Sequence, residues 1–95
     1  MPAYFVFMRD ETTNPAELKT YGEKVRPTFK GHEAKILAAY GKQEAVEGPA
    51  PEGVVVIEFP TMEAAKAWYD SPAYKEVREH RFRGAKYRAV LVQGL

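Results

Sequence analysis

Asp70, Ser71 and His80 supply the three residue types that activate a serine nucleophile, and all fall within the stretch "DSPAYKEVREH". Their spacing argues against that chemistry. Ser71 and His80 lie nine residues apart, and on one helix, at about 1.5 Å per residue, their backbones stand roughly 13 Å from each other. The two side chains cannot share a hydrogen bond, and "YDSPAY" lacks the Gly-x-Ser-x-Gly elbow that exposes a catalytic serine. Ser71 before Pro72 is instead what a helix start requires. Serine caps, proline suits the first helical position, and the residue before a proline avoids helical angles. The functional option left to Ser71 is a place among the unpaired amides of that helix N-terminus, where a carboxylate or phosphate could bind.

The only histidines, His32 and His80, have no second ligand at helical spacing, and the chain has no cysteine. Disulfides, thiolate zinc sites, iron–sulfur clusters and cysteine nucleophiles are excluded together, and no metal or cofactor is expected. His32 follows Gly31 between a helix and a strand, which makes it the one candidate general base near neutral pH. Loop histidines are also plain surface residues, so the catalytic residue is unassigned. The aromatics are a richer set. Tyr21, Trp68 and Tyr74, with Arg81 or Arg26 to pair with an anionic group, would make an apolar pocket with a few polar anchors, the usual form of a small-molecule site. The same aromatics, at helical spacing, also suit a core.

These side chains need a scaffold, and 95 residues fit one domain spanning 1–95. A chain of that size buries a modest core, so association with a copy would help it. The net charge of +1 is too small to suggest a polyanion partner, although residues 1–63 hold 7 Lys+Arg against 10 Asp+Glu and residues 64–95 hold 7 against 3. The excess lies in "KEVREHRFRGAKYR", either a solvated helix face or an anion-binding rim. "MPAYFVFMRDE" has no basic stretch or small-residue cleavage site, and no long apolar run follows. The expectation is a cytoplasmic protein with no membrane partner.

Strands are predicted over 3–9, 34–41, 53–59 and 86–94, each rich in β-branched or aromatic residues. Asn14, Pro15 and Glu17 open a helix as cap, first helical residue and partner in a capping box, with Leu18, Tyr21, Val25 and Phe29 as one stripe. Pro27 lacks an amide, so this helix should kink or restart near Arg26. Thr61 caps a helix that buries Met62, Ala65 and Trp68 or Tyr69, and Ser71 caps another that presents Tyr74, Val77 and Arg81 on one side.

The order β-α-β-β-α-β is that of an α+β, ferredoxin-like sandwich with both helical layers on one face of an antiparallel sheet. The strands carry apolar residues on both faces: Tyr4, Val6 and Met8 compete with Phe5 and Phe7, and Val54 and Val56 with Val55 and Ile57. Whichever register holds, one apolar face is left uncovered, and it would meet the same face of a second copy. RNA-recognition domains share this order, but "GVVVIEF" lacks their Lys/Arg-Gly-aromatic motif and carries Glu58, so no nucleic acid is expected.

"VEGPAPEGVVVIEFPTMEAAKAWYDSPAYKEVREHR" closely resembles the family known as domain of unknown function 1330, most specifically from the valine-rich strand through "FPTMEAAKAWYDSPAY". The resemblance implies the dimeric α+β barrel superfamily, whose protomers pair sheet to sheet and which includes cofactor-free monooxygenases, lactone isomerases and haem proteins. The chain departs from the family pattern at "GHEAKILAAYG", where Ala39 stands at an arginine position and Tyr40 replaces a glycine. The combined expectation is a homodimer with a cleft per protomer between sheet and helices. It would bind, or transform without cofactor as a monooxygenase- or isomerase-like enzyme, a small aromatic or carboxylate metabolite. The alternative is a non-catalytic ligand sensor or protein-interaction module.

Overall fold

A computed structural model describes residues 1–95. The chain forms β1 (Ala3–Thr12), α1 (Pro15–Lys24), a 3-10 turn (Arg26–Phe29), β2 (Lys35–Ala39), β3 (Gly53–Phe59), α2 (Met62–Tyr69), α3 (Pro72–Gly84) and β4 (Ala85–Gln93). The sheet is antiparallel throughout, with strand order β2-β3-β1-β4. This is the ferredoxin-like arrangement expected from the element order. β1 runs three residues beyond its predicted end, with a bulge between Arg9 and Glu11.

The local signals act as their chemistry requires. Asn14 Oδ1 accepts from the Glu17 N–H at 3.4 Å, and Thr61 Oγ1 accepts from the Ala64 N–H at 3.0 Å. Ser71 Oγ accepts from the Tyr74 N–H at 3.3 Å and donates to the Trp68 carbonyl at 2.7 Å, so one hydroxyl closes α2 and opens α3. Helix α1 ends at Lys24 and the chain restarts at Arg26 as a 3-10 turn that contains Pro27. The capping box does not close. The Glu17 carboxylate crosses to α3, where His80 Nδ1 lies 2.6 Å and Arg83 Nε 3.4 Å away, and the Asn14 N–H donates to the Gly84 carbonyl.

In the sheet register Phe5 stands opposite Ile57 and Leu91, and Phe7 opposite Val55 and Ala89. Phe5, Phe7, Ile57 and Phe59 meet Ala65 and Trp68 of α2 and Tyr74 of α3, forming one buried core. Side chains alternate along each strand, so Tyr4, Val6, Met8, Val54 and Val56 fall on the opposite face. Val90 and Val92 join them at 54% and 50% exposure. No helix is long and apolar enough to cross a membrane.

Two stability measurements test these contacts. Ser71→Ala removes a cap and should lower the unfolding free energy in urea by about 1 kcal/mol. Glu17 is held below its usual 4.5 by the hydrogen bond from His80, which outweighs the effect of burial, and by the charge of Arg83. A depressed carboxylate stabilises the fold above its unfolded pKa, and that contribution is lost as pH falls through the folded value. Glu17→Gln should therefore lose less melting temperature than the parent protein between about pH 5 and pH 3.

Candidate functional site

A cleft of about 280 Å³ lies between the helix-facing side of the sheet and α1 with its 3-10 turn. Phe7, Val55 and Ile57 form its floor, and the stripe Leu18, Tyr21, Val25 and Phe29 forms its roof. The stripe explains why α1 has no fully buried residue: its apolar side covers a cleft rather than closed core. A bulge between Ile36 and Ala38 shifts the alternation of β2, so that Ile36 and Ala39 both turn to the cleft. Arg26 stands exposed at the rim.

Arg81 is the polar centre. It is 3% exposed, its Nε has no hydrogen-bond partner, and none of the ion pairs in the chain includes it. Its guanidinium lies 5.2 Å from the ring centre of Phe7, 4.9 Å from that of Phe82 and 4.9 Å from that of Tyr87. Burial by itself lowers its pKa, but the adjacent Tyr74 and Tyr21 outweigh burial and raise it above the ordinary value. The group is a permanent cation held by aromatic faces.

Two pairs of tyrosines flank it. Tyr21 and Tyr74 join hydroxyls at 2.8 Å, and Tyr40 and Tyr87 at 2.5 Å. Burial, followed by its Tyr74 neighbour, raises Tyr21; burial and the hydrogen bond to Tyr87 raise Tyr40. Burial raises Tyr74 against the opposing charge of Arg81. All three remain phenols at neutral pH. One O–H of each pair is used between the partners, and the other is left to donate. The cleft wall contains no aspartate, glutamate or histidine. It can donate hydrogen bonds and stabilise negative charge, but it has no group that removes a proton near neutral pH.

Of the residues singled out in the sequence, Tyr21, Arg26 and Arg81 line this cleft and Trp68, Ser71 and Tyr74 do not. Trp68 and Tyr74 are fully buried beneath it, Tyr74 reaching it through the Tyr21 hydroxyl. The Ser71 hydroxyl is occupied by its two backbone partners. His32 is outside the wall, its N–H donating to the Phe29 carbonyl at 2.9 Å. Sequence reading missed Tyr40, Tyr87 and Arg9. The alternation of β4 held the signal for Tyr87, which shares a face with Leu91. For Tyr40 no periodic signal existed, because it follows the bulge at a strand end.

A wider groove of about 760 Å³ lies on the opposite sheet face, beneath residues 41–51. Its wall mixes Asp10, Arg88, Lys42, Glu44 and Glu47, and Arg88 is already committed to Asp10 through two 2.8 Å hydrogen bonds. The smaller cleft combines an apolar wall with a buried cation that has no carboxylate partner, and it is the candidate site.

A protein of unknown function from Rhodopseudomonas palustris, RPA0582, shares this fold with a TM-score of 0.78 and 19% identity, over 99% of this chain and 82% of that one. A dimeric ferredoxin-like protein of unknown function from Thermobifida fusca gives 0.68 at 11% identity, over 99% and 92%. SnoaB, a cofactor-independent oxygenase from Streptomyces nogalater, gives 0.66 at 11% identity, over 99% and 93%. Identities this low speak for the fold alone. No curated protein matches the sequence significantly. Residues 2–95 match the family model of the domain of unknown function DUF1330, and the chain belongs to that family.

Proposed function

We propose that the protein is a homodimer that binds a small organic anion, a carboxylate on an apolar or aromatic body, in the cleft above Phe7, with the carboxylate on Arg81. The observation that carries this reading is the buried Arg81 guanidinium with an unpartnered Nε and no acidic residue beside it. A buried charge is costly without a counter-charge, and aromatic faces offset only part of that cost. A carboxylate supplies both the opposite charge and acceptors for the guanidinium fork. The left-over tyrosine O–H groups favour the same acceptor. A volume of about 280 Å³ sits at the lower edge of ligand pockets, which run from about 300 Å³ upward, and suits a body of one ring.

Chemistry in such a cleft is restricted by what it lacks. With no base in the wall, a substrate would have to arrive already ionised, and Arg81 with the phenols would hold its negative charge through the reaction. SnoaB, described as a cofactor-independent oxygenase, has the same fold. That likeness supports a transformation without cofactor as the second reading; binding is the first.

The dimer reading rests on the uncovered sheet face. Val6, Val56, Val90 and Val92 form an apolar surface beside the groove that Met8 and Val54 line, and the Thermobifida fusca protein of the same fold is described as dimeric.

Both readings are open to direct test. Benzoate and phenylacetate at millimolar concentration should raise the melting temperature, since a ligand of the folded state shifts the unfolding equilibrium. Arg81→Met should weaken benzoate binding by roughly 10- to 100-fold while leaving the melting temperature within a few degrees of the parent. A loss of stability with unchanged binding would make Arg81 structural only. In sedimentation equilibrium the protein should run at twice the 10.7 kDa protomer mass, and Val56→Lys should run as a monomer. A parent protein that is monomeric at micromolar concentration would end the dimer reading.

A further inference from the structure

Tyr40 is the chain's one non-glycine residue with positive φ, at 57°. A tyrosine is disfavoured there, and such a conformation persists only where its surroundings over-determine it. Three contacts do so. The ring lies against Gly53, where a Cβ would stand 2.4 Å from Tyr40 Cδ1, so only glycine leaves room for it. The Arg9 guanidinium stacks 4.9 Å from the ring centre, and the hydroxyl is bonded to Tyr87. Tyr40 both lines the cleft and is 44% exposed, which makes its ring a wall between cleft and solvent.

Two cations that line the cleft meet this pair of rings. Arg81 is packed on the ring of Tyr87, the hydroxyl partner of Tyr40, and Arg9 is stacked on Tyr40 itself with its Nε 3.1 Å from Glu52. With the ring in place, Arg9 is engaged by an aromatic face and a carboxylate, whereas Arg81 is a buried cation with aromatic neighbours and no carboxylate. We infer that Tyr40 is a specificity-determining residue which biases the cleft toward ligands with one negative charge, by holding Arg9 on its ring while Arg81 takes the carboxylate. Without the ring, Arg9 loses its aromatic partner and is free to take a second carboxylate of the ligand while the first stays on Arg81. This inference rests on the reading of the cleft as an anion site.

The test compares benzoate with isophthalate, a ring of the same size with a second carboxylate, by calorimetric titration of the full chain. The parent protein should bind benzoate more tightly. Tyr40→Gly suits the backbone and removes the ring, and Tyr40→Asn removes it while retaining a side chain that tolerates positive φ. Both variants should shift the affinity ratio toward isophthalate by about tenfold or more. Tyr40→Phe keeps the ring and should leave the ratio within about threefold of the parent. An unchanged ratio in the glycine and asparagine variants, with benzoate still bound by the parent, overturns the role of Tyr40 alone. A parent protein that binds neither acid overturns the anion reading of the cleft and this inference with it.

Discussion

The fold and the cleft depend on how Trp68 is held. Its indole is fully buried and packs against Phe5, Phe7 and Phe59 from the sheet and Tyr74 from α3. It also stacks on Phe29 at 4.7 Å and 11°, and its Nε1–H donates to Thr28 Oγ1 at 3.1 Å. A buried indole N–H without an acceptor is costly, so α2 can dock in only one way relative to the 3-10 turn. Thr28 in turn donates to the Val25 carbonyl. The roof of the cleft is therefore fixed from below, by a residue that never reaches the cleft. Trp68 shapes the site by placing Phe29 and Val25 rather than by touching a ligand.

Arg81 is the second constraint, and it pulls the other way. The fold supplies Phe7 from the core, the half-buried Tyr87 and the exposed Phe82 to hold the guanidinium, yet no carboxylate to neutralise it. Elsewhere the chain pairs its charges readily: Glu17 with His80 and Arg83, Asp10 with Arg88, and Glu52 with Arg9. A buried cation without an ion pair in this apolar cleft is therefore a local exception. The tyrosine pairs extend it, since phenols kept protonated by burial add donors without adding a base. The proposed anion site rests on this composition.

Much of the architecture was legible in the chain. Asn14, Thr61 and Ser71 cap the helices that they were expected to cap, because an N-cap depends on a side chain and an amide three residues on, both local. Pro27 and Pro72 act through their own rings and missing amides, which is equally local. The two-sided apolar strands were readable for a similar reason: alternation assigns faces within a strand whatever lies across from it. Glu17 is the counter-example. Locally it suits a capping box, yet its carboxylate goes to His80 and Arg83, more than sixty residues away in sequence. A charged pair across helices outcompetes the local partner, and no spacing rule reveals it.

The sequence by itself determined the β-α-β-β-α-β order, the breaks at Pro27 and Ser71-Pro72, the surplus apolar sheet face and the absence of thiol chemistry, since each follows from residue type and short-range geometry. Only the tertiary structure decided which aromatics are core and which are wall. Trp68, Tyr74 and Tyr21 recur at helical spacing on three different helices, and periodicity cannot say that the first two close the core while the third faces a cleft. It also decided that Tyr40 lines the cleft, because a one-residue bulge in β2 and a glycine across the sheet at position 53 set its direction. Burial and convergence depend on elements distant in the chain meeting in space, and those meetings are a property of the fold.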